Sequence, residues 1–93
     1  MLIGRRTGKS FNKVDYMKVK VLFFGNLREK AGVATWEVEE VLTLDSLRSR
    51  IETRLPELKG QVYLTAVNQD LVRGNTLLVD GDEIAVMPPF AGG

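Results

Sequence analysis

Polar and apolar positions along the chain alternate, shift to helical spacing, and alternate again, and the pattern begins abruptly at Met17. "KVKVLFF" (18–24) sets Val19, Val21 and Phe23 on one side and Lys18, Lys20, Leu22 and Phe24 on the other. A period of two with β-branched and aromatic residues predicts a strand. "NLREKAG" (26–32) predicts a short helical turn closed by Gly32. "TWEVEEV" (35–41) alternates again, with Trp36, Val38 and Glu40 opposite Thr35, Glu37 and Glu39, and predicts a second strand antiparallel to the first. "TLDSLRSRIETRLPEL" (43–58) carries Leu44, Leu47, Ile51, Leu55 and Leu58 at steps of three and four, the apolar stripe of a helix lying on a sheet. Thr43 is its candidate N-cap, with Asp45 in the first turn, and Pro56 ends it or loosens its last turn. Arg48, Arg50 and Arg54 read as a solvated helix face, with Arg48 and Glu52 spaced for an i,i+4 pair. "QVYLTAVN" (61–68) predicts a third strand. Beyond it come a short strand, turns at Arg73–Asn75 and Asp80–Asp82, and a final strand at 83–87.

The order is therefore strand, short turn, strand, helix, strand, short strand, strand. A helix of this length between strands is a crossover connection. The fold expected is α+β: a β-grasp (ubiquitin-like) domain, a mixed sheet of about five strands with one main helix packed across it.

Residues 1–16 break the pattern. They hold four basic residues against one acid, a net of +3, while the remainder nets −2. They read as a flexible basic N-terminal extension, with the domain proper spanning 17–93. "GRRTGKS" has one residue too few between its glycines for a phosphate-binding loop, and no strand precedes it. An organelle-targeting segment is the alternative for an Arg-rich, acid-poor start. The mildly acidic body argues against nucleic acid as its main partner, and no run of about 18 apolar residues offers a membrane span.

Among 93 residues there is neither a cysteine nor a histidine. This excludes disulfides, thiol nucleophiles and imidazole acid–base chemistry, and leaves a zinc site only carboxylates to use. "DGDE" (80–83) reads as a turn rather than a metal site, and no metal is expected.

Strand parity puts Phe24 and Met87 on the wet face of the sheet, on the side from which the tail "MPPFAGG" (87–93) departs. Large apolar residues clustered on a wet face mark a partner surface. Pro88 and Pro89 pre-set an extended arm, and Gly92 and Gly93 let backbone pass where side chains clash. With Phe90 and Ala91, they make a tail suited to threading into a narrow active site, where the terminal carboxylate can be activated as an acyl adenylate.

"VLFFGNLREKAG" (21–32), "AVNQDLV" (66–72) and above all "LLVDGDEIAVMPPFAGG" (77–93) resemble the MoaD-type small subunits of molybdopterin synthase, ubiquitin-like sulfur carriers of the MoaD/ThiS family. The resemblance covers nearly all of the domain from Met17 and none of residues 1–16. It implies that an E1-like (MoeB-type) enzyme uses ATP to adenylate Gly93 and that a sulfurtransferase or desulfurase converts it to a thiocarboxylate. The tail then enters the large (MoaE-type) subunit, where the sulfur passes to cyclic pyranopterin monophosphate in molybdenum cofactor biosynthesis. It further implies a cytoplasmic heterotetramer of two small and two large subunits, a chain with no cofactor of its own, and no catalysis by this chain alone. Phe24, Arg28, Leu71 and Met87 match the family's positions at the interface with the activating enzyme and the large subunit; an aromatic is more usual where Met87 stands. Two other readings share the Gly-Gly end: a sulfur carrier for thiamin thiazole synthesis, and a ubiquitin-like modifier joined to protein lysines. A plain interaction module with an inert tail is the third.

Overall fold

The alternation that starts at Lys18 becomes a central strand because both of its edges find partners. In the computed structural model, which describes residues 17–89, the elements are β1 (Lys18–Phe23), α1 (Asn26–Ala31), β2 (Thr35–Glu39), α2 (Leu44–Arg54), a 3₁₀ turn (Pro56–Leu58), β3 (Leu64–Val67), β4 (Asp70–Val72) and β5 (Glu83–Met87). The five strands form one sheet in the order β2-β1-β5-β3-β4. β1 is antiparallel to β2 and parallel to β5, and β3 is antiparallel to both β5 and β4. The mixed five-stranded sheet crossed by one main helix is the β-grasp expected from the element order. The expected N-terminal extension, and Phe90, Ala91, Gly92 and Gly93 of the tail, lie outside the described residues.

Inner-face residues of β1 and β5 form the floor of the core. Val19, Val21, Phe23, Ile84 and Val86 are buried, and Leu44, Leu47 and Ile51 of α2 lie over them in one apolar cluster. Phe23 meets the Trp36 ring edge to face, with centroids 4.8 Å apart, a geometry aromatic quadrupoles favour.

Capping and proline set the helix bounds. Thr43 is extended, and its Oγ1 accepts from the Ser46 N–H at 3.1 Å, as expected of the N-cap. α2 ends at Arg54, not Leu58. Pro56 excludes Leu55 from helical ψ (φ −125°, ψ 77°), and the chain resumes as a separate 3₁₀ turn that still buries Leu58. Gly32 closes α1 at φ 77°, its N–H reaching the carbonyls of Arg28 and Glu29.

Three strand bounds differ from the sequence reading. β1 ends at Phe23 rather than Phe24. β2 ends at Glu39: Glu40 takes a left-handed φ of 61°, so it leaves the side it was expected to share with Trp36 and Val38 and lies exposed, while Val41 turns into the core. β3 covers only 64–67: it starts at Leu64, three residues later than expected, and it ends at Val67 because Asn68 and Gln69 both adopt positive φ to turn the chain into β4. Among the described residues, no helix is long and apolar enough to cross a membrane.

Candidate functional site

With α2 covering the inner face, no element among the described residues covers the other face of the sheet, and strand register decides its character. The pairings Leu22↔Ala85, Ala85↔Ala66 and Ala66↔Leu71 run a row of apolar side chains across β1, β5, β3 and β4. A second row lies one step nearer the tail. Leu64 is opposite Met87, and the Phe24 N–H donates to the Val86 carbonyl at 3.0 Å, continuing the β1–β5 register so that Phe24 stands abreast of Met87. Phe24 is 43% and Leu71 47% exposed, too much for core residues of this size. Met87 is half-buried, less open than its position on the wet face suggested.

The structure thus brings Phe24, Leu71 and Met87 onto one surface. Arg28 lies exposed on α1 beside its edge, its N–H bonded to the Gly25 carbonyl. Leu64, half-buried, and Ala66, buried at 6% exposure, lie on the same face and escaped the sequence reading. Parity within β3 is ambiguous until its register against β5 is known, and Thr65, the polar member, is the one that faces inward, 2% exposed. β5 leads directly from this surface into Pro88, half-buried, and Pro89, exposed.

Toward the other end of the strands the same face is charged. Lys18 Nζ lies 3.7 Å from Glu37 and 3.8 Å from Glu39, and Lys20 is paired in register with Glu37 and Glu83. Beyond it, the "DGDE" carboxylates are held by the fold. Asp82, 6% exposed, accepts from Asn68 Nδ2 and the Val79 N–H, both at 2.8 Å, and Asp80 Oδ1 accepts from the Lys18 N–H at 2.9 Å. A buried carboxylate satisfied by two donors is a loop anchor. Among the described residues no group of three or more His, Cys, Asp or Glu gathers as a metal site.

One helix pairing is a correction, while Arg50 and Arg54 are exposed as expected. Arg48 does not pair with Glu52: its Nη1 meets Asp45 Oδ1 at 2.8 Å and its Nη2 donates to Thr65 Oγ1 at 2.8 Å, because the helix leans on β3 there. Glu52 instead accepts the Tyr63 hydroxyl, and burial, followed by this carboxylate, pushes the phenol well above its ordinary pKa. Arg50 donates to the Glu40 carbonyl at 2.9 Å, and the Arg54 guanidinium lies 4.4 Å from the Trp36 ring centroid, a cation–π contact. These side chains tie α2 to its neighbours rather than forming a merely solvated face. Arg50 and Arg54 also line a cleft of about 410 Å³ between α2 and β2, together with Trp36, Val38 and three glutamates. It includes neither the apolar surface nor the tail exit, and offers no nucleophile, so the outer sheet face is the better candidate.

A ubiquitin-like domain whose outer apolar sheet surface, uncovered among the described residues, leads along β5 into Pro88 and Pro89 is the class the fold and the candidate site define. Residues 21–93 match the model of the ThiS family, and the chain belongs to that family. It is similar to the molybdopterin synthase sulfur carrier subunit of Escherichia coli (strain K12), 39% identical over 80 residues spanning 81% of this chain and 99% of that protein. Two solved structures share the fold. A chain from the protein–protein complex of subunits 1 and 2 of the molybdopterin-converting factor from Helicobacter pylori 26695 aligns with a TM-score of 0.65 and 35% identity, over 83% of this chain and 100% of that one. Small archaeal modifier protein 1 from Methanosarcina acetivorans aligns with a TM-score of 0.65 and 30% identity, over 83% and 97%.

Proposed function

We propose that this chain is the sulfur-carrier small subunit of a molybdopterin synthase. The observation that carries the reading is the apolar surface of Leu22, Phe24, Leu64, Leu71 and Met87, continuous with the strand that runs into Pro88-Pro89. Such a surface gives a partner a place to dock, beside the start of the arm that carries the terminal carboxylate. The similarity to the Escherichia coli carrier subunit and to the Helicobacter pylori complex supports the same assignment.

The chemistry proposed is the one the family resemblance implies, and it suits a chain with no cysteine to hold sulfur. Gly93 attacks the α-phosphorus of ATP on an E1-like adenylating enzyme, releasing pyrophosphate and leaving an acyl adenylate. A sulfurtransferase supplies sulfide equivalents that displace AMP and leave a thiocarboxylate. In the large subunit the thiocarboxylate sulfur bonds to cyclic pyranopterin monophosphate, and water hydrolyses the resulting acyl–sulfur bond, leaving the sulfur on the pterin and regenerating the Gly93 carboxylate. In this scheme ATP is used by the activating enzyme, the chain needs no cofactor of its own, and the reaction is assigned to the cytoplasm. Phe24, Leu71 and Met87, with Arg28 at the rim, are the docking residues in this scheme. Pro88 to Gly92 form the threading arm, which contributes orientation rather than catalytic groups.

The test is reconstitution with ATP, the activating enzyme, a sulfur source, the large subunit and cyclic pyranopterin monophosphate. The full chain is expected to support molybdopterin formation, and deletion of Gly93 is expected to abolish it with the melting temperature unchanged. A truncated chain that still sustains the product sinks the reading. The likeness to an archaeal modifier keeps a second reading in view. A ladder of lysine-linked conjugates in place of the pterin product selects it.

A further inference from the structure

We propose that the open edge of β2 is a docking site distinct from the apolar face: it takes an extended segment of a partner protein that alternates basic and apolar residues and adds to the sheet as a further strand. The sheet order leaves β2 and β4 at its two edges. β4 is three residues long. β2 has five, Thr35–Glu39, in unbroken register with β1 and with none of the prolines, lysines or bulges that commonly blunt an edge. The Phe23 N–H donates to the Ala34 carbonyl and the Glu40 N–H to the Met17 carbonyl. An antiparallel ladder alternates, so the even-numbered residues of β2 bond to β1, and Thr35, Glu37 and Glu39 aim their N–H and C=O groups away from the sheet. Among the described residues nothing takes up these groups.

The side chains on the two faces of this edge select the occupant. On the outer face Glu37 and Glu39, both exposed, share the ammonium of Lys18 at 3.7 and 3.8 Å. Charge-assisted bonds are shorter, about 2.7–2.9 Å, so both carboxylates keep capacity for a second cation on their open side. β1 already shows the fit: Lys18 and Lys20 stand opposite Glu39 and Glu37, with Val19 between them turned inward. A partner strand of the same alternation repeats that ladder on the open edge, since opposite charges on facing strands stabilise the pair. On the inner face its apolar residues meet the cleft between β2 and α2, walled by Trp36 and half-buried Val38. Arg50 and Arg54 also line that cleft, engaged with the Glu40 carbonyl and the Trp36 ring, and they repel a basic side chain placed there. The occupant is thus basic toward the outer face alone. A second copy of β2 fits poorly, because it sets glutamates against glutamates.

Glu37 and Glu39 flank the charged half of the outer face, away from Phe24 and Met87. A strand on this edge therefore leaves the tail-side surface free for another protein, and the site stands independently of the sulfur-carrier reading.

The probe is a synthetic peptide of alternating lysine and valine, with an alternating glutamate–valine peptide as its counterpart, each titrated into the full chain by NMR and calorimetry. The lysine–valine peptide is expected to bind with a Kd below about 1 mM and to slow amide exchange at Thr35, Glu37 and Glu39 about tenfold or more. The glutamate–valine peptide is expected to bind at least about tenfold more weakly, and the double variant Glu37→Gln, Glu39→Gln to weaken the lysine–valine peptide about tenfold, its fold checked by the chemical shifts of the sheet. Backbone pairing is tested with two versions of the lysine–valine peptide, N-methylated on its lysines or on its valines, since only one of them still presents its N–H groups to β2. One version is expected to keep its affinity within about threefold and the other to lose about tenfold or more. Equal affinities for the two versions, or a preference for the glutamate peptide, overturn the proposal. So does protection of the three amides in the free chain: protection that falls on dilution assigns the edge to a second copy, and protection independent of concentration assigns it to another segment of the same chain.

Discussion

Phe23 and Phe24 are neighbours with opposite fates. Phe23 is 1% exposed, wedged against Trp36 beneath α2, and Phe24 is 43% exposed on a face that no element of this chain covers among the described residues. The sheet has two apolar surfaces, and only the inner one is matched by a helix stripe. On the inner face, apolar residues run the full length of β1 and β5. On the outer face they stop halfway, giving way to Lys18, Lys20, Glu37, Glu39 and Glu83. Burial on the inner side is worth stability. The outer apolar half lies where β5 runs into Pro88, and in the proposed function it is the surface that docks a partner.

Replacing residues on the two faces should therefore move different observables. Phe23→Ala is expected to cost about 3–5 kcal/mol of unfolding free energy in chemical denaturation, because it removes a fully buried ring whose neighbours cannot collapse into the space. Phe24→Glu is expected to leave stability within about 1 kcal/mol while weakening capture by the large subunit or the activating enzyme about 30-fold or more, measurable by calorimetry. Unfolding of the Phe24 variant instead would merge the two faces into one core and end the comparison.

A smaller effect tests the polar side of the helix–sheet contact. The Tyr63 phenol has its pKa raised by burial and by the Glu52 carboxylate. The folded state therefore holds this proton more tightly than the unfolded one. The contribution is fully present below the unfolded value of about 10 and is lost as pH rises toward the folded value. Stability should decline on that alkaline limb, and Tyr63→Phe should remove Tyr63's share of the decline. Smallest of all, Lys18→Ala removes only exposed pairs and should change stability by no more than about 0.5 kcal/mol and binding not at all.

Much of this division is written in the alternation itself. Val19, Val21 and Phe23 against Lys18, Lys20 and Phe24 fix which side of β1 is wet, since lysine is not buried unpaired. The stripe from Leu44 to Leu58 fixes what covers the other side, and Pro56 marks where the helix breaks. Leu64 and Ala66 were not legible, because the face a strand presents depends on its register with a partner far away in sequence. Arg50 and Arg54 are exposed, as a solvated face requires, but the contacts of all three arginines were not legible: Thr65, the Glu40 carbonyl and Trp36 come within their reach only once the helix packs down. Glu40 left its expected side through a backbone turn that alternation does not encode. The roles of Leu71 and Arg28 came from family resemblance, and register then placed Leu71 on the docking face and α1 placed Arg28 at its rim.

The most direct measurement of the central claim is the mass of the C-terminal peptide after incubation of the full chain with ATP, the activating enzyme and a sulfur source, followed by alkylation. Exchange of oxygen for sulfur changes the mass almost as oxidation of Met87 does, and alkylation separates the two because only a thiocarboxylate takes the label. The account predicts a labelled peptide ending at Gly93, formed only when ATP is present. An unlabelled peptide, with the activating enzyme shown to be competent on another carrier, contradicts it.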